Sequence, residues 1–179
     1  MKKLVVISDL WGVKRSQWWR YYVENLSDSF DVAFYDACAL GQIDLNNYTE
    51  EALHQQFING GIDKAVGNLL KIESQPDALL GFSIGGYIAF KSLQNGLKTN
   101  MLFAVSSTRL RKENDCPQAQ IQLFYGENDL YKPSAEWFAQ MNLTPHIFKG
   151  EPHNFYRKEK IATQICDFIK NRANRVFFL

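Results

Sequence analysis

The chain has 179 residues, of which 46% are hydrophobic, and it carries 20 basic and 19 acidic side chains. This length fits one domain with a sizeable core, and the balanced charge argues against a nucleic-acid-binding protein, which would show a basic excess. High apolar content with low net charge also excludes a disordered chain. No apolar run approaches the ~20 residues that span a bilayer, so neither nucleic acid nor a membrane is an expected partner.

The N-terminus and the cysteines indicate a soluble, cytoplasmic protein. The apolar run Leu4–Ile7 is shorter than the ~7–15 residues of a secretory signal. The three cysteines, Cys38, Cys116 and Cys166, are widely spaced and form neither a disulfide framework nor a CxxC pair. The oligomeric state stays open, because the apolar tail 176–179 could pack on the chain's own core or on a neighbour.

Strand-like and helix-like segments alternate along the chain. In chain order they are a strand at Leu4–Ile7, a helix at about Ser16–Leu26, a strand at Asp31–Tyr35, a helix from Thr49 to a break at Gly60-Gly61, a helix at Ile62–Ile72, a strand at Ala78–Gly81, a helix at Tyr87–Leu93, a strand at Met101–Val105, a strand at Ile121–Tyr125, a helix at Pro133–Met141, a strand at Pro145–Phe148 and a helix at Lys160–Lys170. The alternation predicts an α/β fold, with a mainly parallel sheet of about six strands and helices on both faces. Active-site residues would then lie at the carboxyl ends of the strands.

The segment Gly81-Phe82-Ser83-Ile84-Gly85-Gly86 fits the pattern G-x-S-x-G, directly after a predicted strand and before a helix. In that context a serine occupies a strained turn with its hydroxyl pointing out of the sheet. The glycines let neighbouring backbone approach closely, and the N-terminus of the helix favours a developing negative charge. The segment lacks both G-x-G-x-x-G and a Walker lysine, which disfavours a nucleotide-binding loop. The remaining alternative is a glycine-rich loop with an incidental serine.

A nucleophilic serine needs an acid after a later strand and a histidine near the end of the chain. Asp129 lies in the loop after the fifth predicted strand, and His153 lies in the loop after the sixth. The order Ser83, Asp129, His153 is the one that this arrangement requires. We therefore expect these three side chains to meet at one edge of the sheet.

Three other residues compete for these roles. Glu127 lies two residues before Asp129 in the same loop, but Asp129 lies deeper in the turn. His54 precedes the serine and falls within a helix, and His146 starts a strand. We expect surface or packing roles for both histidines and keep Glu127 as the alternative acid.

The sequence resembles the α/β-hydrolase superfamily over most of its length. The resemblance is carried by the motifs GFSIGG at 81–86, YGENDLYKP at 125–133 and GEPHNF at 150–155. Together with LWG at 10–12, GFSIGG is similar to the small carboxylesterases near the pimeloyl-carrier-protein methyl esterases. The resemblance implies that Ser83 is the nucleophile, that His153 is the general base and acid, and that Asp129 orients His153.

The tetrahedral oxyanion of such a reaction needs two backbone N–H donors. One should come from Ile84, the residue after the serine. Matching Asp9-Leu10-Trp11-Gly12 to the superfamily's His-Gly-x-Gly stretch makes Trp11 the other donor. This chain has Asp9-Leu10 where His-Gly is common, and leucine resists backbone angles that glycine tolerates. The geometry of the second donor is therefore open.

Two further departures indicate a minimal form of the fold. The chain begins at what would be the third strand of a full-length member, and the polar connection from Ser106 to Ala119 is too short for a helical cap. The expected architecture is a single domain over residues 1–179 without a cap.

The leading hypothesis is a serine hydrolase that cleaves a carboxylic ester or thioester through an acyl-serine intermediate, with no cofactor and no metal. Its substrate would be a small acyl ester or thioester, which could be linked to a carrier. The alternative is a non-catalytic ligand-binding or interaction module of the same fold. Two groups of side chains have alternative roles. An aromatic group could line an acyl pocket or belong to the core: Trp11, Trp18, Trp19, Tyr21 and Tyr22. A basic group could contact an anion on the substrate or lie on the solvated surface: Arg109, Arg111 and Lys112.

Overall fold

The structure is a computed structural model that describes residues 1–15 and 17–176. Its strands are β1 (Lys2–Ile7), β2 (Phe30–Tyr35), β3 (Ala78–Phe82), β4 (Met101–Val105), β5 (Gln120–Gly126) and β6 (Pro145–Phe148). Its α-helices are α1 (Trp19–Leu26), α2 (Ala37–Gly41), α3 (Glu50–Gln56), α4 (Ile62–Ile72), α5 (Ile84–Gln94), α6 (Ala135–Gln140) and α7 (Glu159–Val176). The predicted helix start at Ser16 and residues 177–179 of the apolar tail lie outside the described residues.

The strands form one six-stranded sheet in the order β2-β1-β3-β4-β5-β6, and every neighbouring pair is parallel. The chain goes from β1 outward to β2, returns past β1 to β3, and then continues on that side through β4, β5 and β6. The direction of winding therefore reverses between β1 and β3. In open parallel sheets a ligand site forms outside the carboxyl ends of the strands at this point, so the segments after β1 and β3 are its expected walls.

Helices cover both faces of the sheet because the strands are apolar on both sides. In β1, Val5 and Ile7 pack into one core cluster with α3, α4, α5 and α6. Leu4 and Val6 point to the opposite face and pack with α1 and α7. Apolar residues on both faces are typical of buried parallel strands, and the predicted fold class is confirmed.

The short helix α2 was not predicted, since the sequence after β2 suggested a loop. Asp36 begins this helix by accepting hydrogen bonds from the backbone N–H groups of Cys38 and Ala39, at 2.7 and 3.2 Å. A carboxylate at this position satisfies amides that have no acceptor within the helix. The helix has only five residues, too few to show a helical repeat in the sequence.

The helix break predicted at Gly60-Gly61 takes a different form. Thr49 caps α3 through the Ala52 N–H at 3.3 Å, as the sequence predicts. Helical hydrogen bonding then continues through a wide π-type turn, Phe57–Gly61, and Gly60 adopts a φ of 112° within it. This left-handed angle suits glycine, and the chain bends there before α4 begins.

The connection between β4 and β5 contains a single 3₁₀ turn, Thr108–Lys112, in agreement with the prediction that no helical cap lies there. Within the described part of the chain, no helix combines the length and the apolar character needed to cross a bilayer.

Candidate active site

Ser83 occupies a strained turn between β3 and α5. Its backbone has φ 50° and ψ −115°, a conformation that is uncommon for any residue other than glycine. Its N–H donates to the carbonyl oxygen of Val105 in the neighbouring strand at 2.7 Å. The turn is therefore fixed to the sheet, and it carries the serine at the carboxyl end of a central strand.

The glycines of this turn are required by close backbone approach. A Cβ on Gly85 would lie 2.1 Å from the carbonyl oxygen of Ser8, at the end of β1. A Cβ on Gly81 would lie 2.4 Å from the Cα of Gly86. No side chain fits at these distances, so glycine allows β3, α5 and the end of β1 to meet beside Ser83.

Three polar side chains, contributed by segments far apart in the chain, form a continuous hydrogen-bonded series. The Oγ atom of Ser83 lies 3.3 Å from Nε2 of His153, and Nδ1 of His153 lies 2.6 Å from Oδ2 of Asp129. Asp129 is only 1% exposed, whereas the side chain of His153 is 40% exposed. The structure thus brings together the three residues that the sequence singles out, with the acid buried and the imidazole open to solvent.

The loop after β5 selects Asp129 rather than Glu127 as the acid in contact with His153. The other carboxylate oxygen of Asp129 accepts the Tyr131 N–H at 3.1 Å. Glu127 is exposed and accepts the Gly150 N–H at 2.7 Å instead. Asp129 is therefore held between its own loop and His153, while Glu127 connects two loops at the surface.

The other two histidines lie elsewhere, as expected. His54 is exposed on α3. His146 lies on the edge strand β6, where its Nε2 atom is 3.1 Å from the side-chain oxygen of Gln122. Burial, and after it the charge of Arg172, lowers the pKa of His146. Its partners are those of a packing residue.

Ser106, which follows β4 at the same edge of the sheet, is a site residue that was not predicted from the sequence. Its backbone has a φ of 51°, and its Oγ donates to the carbonyl oxygen of His153 at 2.6 Å. Its side chain thus holds the backbone of the histidine loop in place. Its position could have indicated its role, because it follows β4, and β4 lies between the strands that lead to Ser83 and Asp129, β3 and β5.

The two expected oxyanion donors differ in their surroundings. Ile84 is the first residue of α5, and the first amides of a helix have no acceptor within it. The Trp11 N–H, in contrast, donates to Oδ1 of Asp9 at 3.0 Å. Ile84 therefore has the position expected of a donor, whereas the Asp9 side chain, at the position matched to the superfamily's histidine, accepts the Trp11 amide.

Asp9 connects the loop after β1 to the segment after His153. The carboxylate is 1% exposed, and its Oδ2 accepts from the Tyr156 hydroxyl at 2.9 Å and from the Arg157 guanidinium at 2.7 Å. The Arg157 charge compensates the buried negative charge. Burial, followed by the Asp9 charge, raises the pKa of the Tyr156 hydroxyl, so this phenol stays protonated and donates.

Most of the aromatic group after β1 belongs to the core. Trp18 and Tyr22 are buried against Phe82, with ring centroids 4.7 and 4.5 Å from it. Trp19 and Tyr21 pack partly buried against the same cluster. Trp11 packs on the opposite face, edge-on to the Tyr48 ring at 5.4 Å. These aromatic side chains therefore belong mainly to the two core clusters rather than to the surface of the site.

Among the described residues, no group of histidine, cysteine, aspartate or glutamate side chains is arranged to hold a metal ion.

No protein-family model matches the sequence, and no curated protein does. The fold, however, is similar to that of several solved structures. Est1E from Butyrivibrio proteoclasticus, solved with ferulic acid bound, has a TM-score of 0.67 and 10% identity over 98% of this chain and 90% of its own. The α/β hydrolase domain-containing protein 10 from mouse has a TM-score of 0.67 and 10% identity, over 97% of this chain and 90% of its own.

An α/β serine hydrolase without a lid, from Xanthomonas campestris, has a TM-score of 0.59 and 13% identity, over 95% of this chain and 81% of its own. At identities this low, structural similarity shows the fold alone. The chain therefore has the α/β-hydrolase fold in a form without a helical cap, and its structural neighbours are hydrolases.

Proposed function

We propose that this protein is a serine hydrolase that cleaves a carboxylic ester or thioester through an acyl-serine intermediate. The observation that carries the proposal is the hydrogen-bonded series from Ser83 through His153 to Asp129, at 3.3 and 2.6 Å. The strained backbone of Ser83 at the start of α5 supports the same conclusion. Because the structural neighbours are hydrolases, the fold is compatible with ester hydrolysis.

In the proposed reaction His153 Nε2 accepts the hydroxyl proton as Ser83 Oγ attacks the carbonyl carbon. Asp129 holds the Nδ1 proton, which fixes the tautomer and stabilises the imidazolium. The bond to the leaving alcohol or thiol then breaks, and His153 returns the proton to that leaving group. Water, deprotonated by the same imidazole, attacks the acyl-serine and releases the acid.

The oxyanion of the tetrahedral intermediate is stabilised by backbone N–H groups, each contributing about 3 kcal/mol. In the proposed site Ile84 supplies one donor from the start of α5. Trp11 would supply the other only when its N–H turns from the Asp9 carboxylate to the oxyanion. Because Arg157 pairs with Asp9 at 2.7 Å, the carboxylate places little net negative charge beside the developing anion.

A fluorophosphonate probe and p-nitrophenyl acetate test the proposal directly. We expect the probe to label Ser83 and the chain to hydrolyse the ester. Ser83→Ala should abolish the labelling, and it should lower kcat by about 10⁴-fold or more, since a nucleophile and its base act as a unit. Ser29→Ala, at an exposed serine that directly precedes the start of β2, is the control and should behave as the parent. Hydrolysis by Ser83→Ala at the parent rate would refute the assignment.

The alternative, a non-catalytic binding module, is favoured by one observation: the Trp11 N–H is already bonded to Asp9. If that bond never opens, one donor of the oxyanion hole is missing and acyl transfer is slow. The same probe separates the two functions, because a binding module would take up ligands without covalent labelling of Ser83.

A further inference from the structure

Three cations lie within five residues in the 3₁₀ turn Thr108–Lys112, which we call the basic turn. They are Arg109, Arg111 and Lys112. The turn follows β4, so it lies at the edge of the sheet where Ser83 and Asp129 also lie. Its place in the fold therefore puts positive charge beside the proposed active site.

The residues that lead into the basic turn touch both sides of that site. A Cβ on Gly86, three residues after Ser83, would lie 1.9 Å from the Oγ of Ser107. Ser106 donates to the carbonyl oxygen of His153 at 2.6 Å. The turn is thus anchored to the helix that begins at the nucleophile and to the loop that carries the imidazole.

The two guanidinium groups of the turn rest on aromatic rings that flank the site. Arg109 lies over the Tyr87 ring at 5.4 Å, and Tyr87 is the residue whose N–H donates to the Ser83 carbonyl oxygen. Arg111 lies over the Tyr131 ring at 5.9 Å, and the Tyr131 N–H donates to the Asp129 carboxylate. Attraction to an aromatic face favours this placement of each cation, so both guanidinium groups lie beside the segments that position Ser83 and Asp129.

The cations of the basic turn lack a carboxylate partner in the described part of the chain. Over the described ranges, no carboxylate lies within 4.0 Å of the side-chain nitrogens of the basic turn. The nearby acid Glu113 instead accepts the Tyr87 hydroxyl at 2.6 Å and pairs with Lys91 at 3.2 Å. The Nε atom of Arg109 is buried without a hydrogen-bond partner. A partly buried guanidinium without a carboxylate partner is costly, and a bound anion would offset that cost.

The charge of the turn also reaches across to α3. The pKa of His54 is lowered first by burial and then by the Arg109 charge, with smaller effects from Lys112 and Arg111. Glu50 opposes this effect. The charge of the basic turn therefore disfavours the protonated form of His54 on α3.

We propose that the basic turn binds an anionic group, a carboxylate or a phosphate, on the substrate whose ester or thioester is attacked by Ser83. The inference rests on the proposed function and names its substrate class. Arg109, which is half-buried and fixed on Tyr87, makes the main contact, and Arg111 adds to it. Guanidinium is suited to both anions because its planar N–H groups match their paired oxygens.

Kinetics with a neutral and an anionic ester test the inference. The substrates are p-nitrophenyl acetate and the p-nitrophenyl monoester of glutaric acid. In the double variant Arg109→Gln/Arg111→Gln, kcat/KM for the glutarate monoester should fall about tenfold, as expected for the loss of a charge-assisted contact. Hydrolysis of the acetate should be unchanged, and added salt should weaken the parent's preference for the anionic ester.

Arg20→Gln is the matched control. Arg20 is an exposed arginine over the Trp19 ring at 5.6 Å, on the opposite face of the sheet, and its replacement should leave both substrates unaffected. The inference is wrong if the double variant loses activity equally on both esters, or on neither.

Anion binding to the Ser83→Ala variant, which should not hydrolyse substrate, separates this inference from the proposed function. In Ser83→Ala, calorimetry with glutarate and with inorganic phosphate should detect binding of at least one, and the tighter binder identifies the anion. The Arg109→Gln/Arg111→Gln changes should remove that binding. If the parent hydrolyses no ester and yet the anion binds through these arginines, only the hydrolase proposal fails. If neither anion binds to Ser83→Ala, the inference is overturned.

Discussion

Asp129 owes its place beside His153 to contacts within its own short loop. Its N–H donates to the carbonyl oxygen of Gly126 at 3.2 Å, and its Oδ1 accepts the Tyr131 N–H at 3.1 Å. These two bonds leave Oδ2 to face the imidazole at 2.6 Å. The backbone of its own loop thus orients this carboxylate independently of the contact with His153.

Replacement of Asp129 by an uncharged side chain of the same shape tests its role. Asp129→Asn keeps the shape but favours the wrong tautomer of His153, so we expect kcat for p-nitrophenyl acetate to fall by about 10⁴-fold. Glu127→Gln is the paired control, since Glu127 is exposed and bonds to Gly150, and it should retain activity. The opposite result, with Glu127→Gln inactive and Asp129→Asn active, would reverse the assignment of the acid.

The sequence was sufficient to nominate Ser83, Asp129 and His153, because each follows a strand and strand ends converge. It was not sufficient to predict what Asp9 does. Asp9 and Arg157 are 148 positions apart, and they meet only because the loops after β1 and β6 lie at the same edge of the sheet. Contacts of this kind depend on loop conformation, which no motif in this chain encodes.

Among the elements, the turn from β3 into α5 places strict steric limits on which residues can occupy it. It brings the backbone of α5 against the end of β1, and only glycine fits at position 85. The pattern G-x-S-x-G predicted this element well, because sterics force the same residues wherever such a turn occurs. The helix α2 escaped prediction, since its single signal is the Asp36 cap.

Gly85→Ala tests the steric argument. Because the added Cβ would lie 2.1 Å from a backbone oxygen, β1 and α5 must separate, and we expect the free energy of unfolding to fall by about 3 kcal/mol. Gly67→Ala is the control. Gly67 lies in α4, where the added Cβ would meet nothing within 4 Å apart from its own helix, so its replacement should raise stability by about 0.5–1 kcal/mol. Urea unfolding of both variants distinguishes these outcomes, and equal effects would disprove the argument.

At the scale of the whole molecule, two cores share one sheet. One lies under α3, α4, α5 and α6, and the other lies under α1 and α7. Tyr22 in α1 donates to the carbonyl oxygen of Tyr156 at 2.9 Å, which ties the second core to the segment after His153. The fold class follows from the alternation of strands and helices, and the absence of a cap follows from the short connection between β4 and β5. The strand order was not predicted from the sequence, because it depends on contacts between distant segments.

The pH dependence of folding should reveal His146 at the edge of the second core. Its imidazole stacks on the Phe124 ring at 4.9 Å and lies edge-on to Phe168 at 4.5 Å, and its pKa is lowered chiefly by burial. The unfolded chain therefore binds a proton more readily than the folded one. Its contribution to stability is present above the ordinary histidine pKa of about 6.5 and is lost as the pH falls below it.

We expect the free energy of unfolding of the parent to decrease between about pH 8 and pH 5 more steeply than that of His146→Gln. Ile147→Thr, at an exposed neighbouring position, should keep the parent's slope. Urea titrations across this range measure the difference, and parallel curves for parent and His146→Gln would show that His146 does not contribute.

The burial of α5 has one more consequence. Nine of its eleven residues are buried, and the helix lies against the central strands of the sheet. Segments packed in this way open only when the entire domain loses its structure. The serine at the head of α5 is therefore carried by a helix that unfolds together with the domain, so heating should end its reactivity at the same temperature at which the fold itself melts.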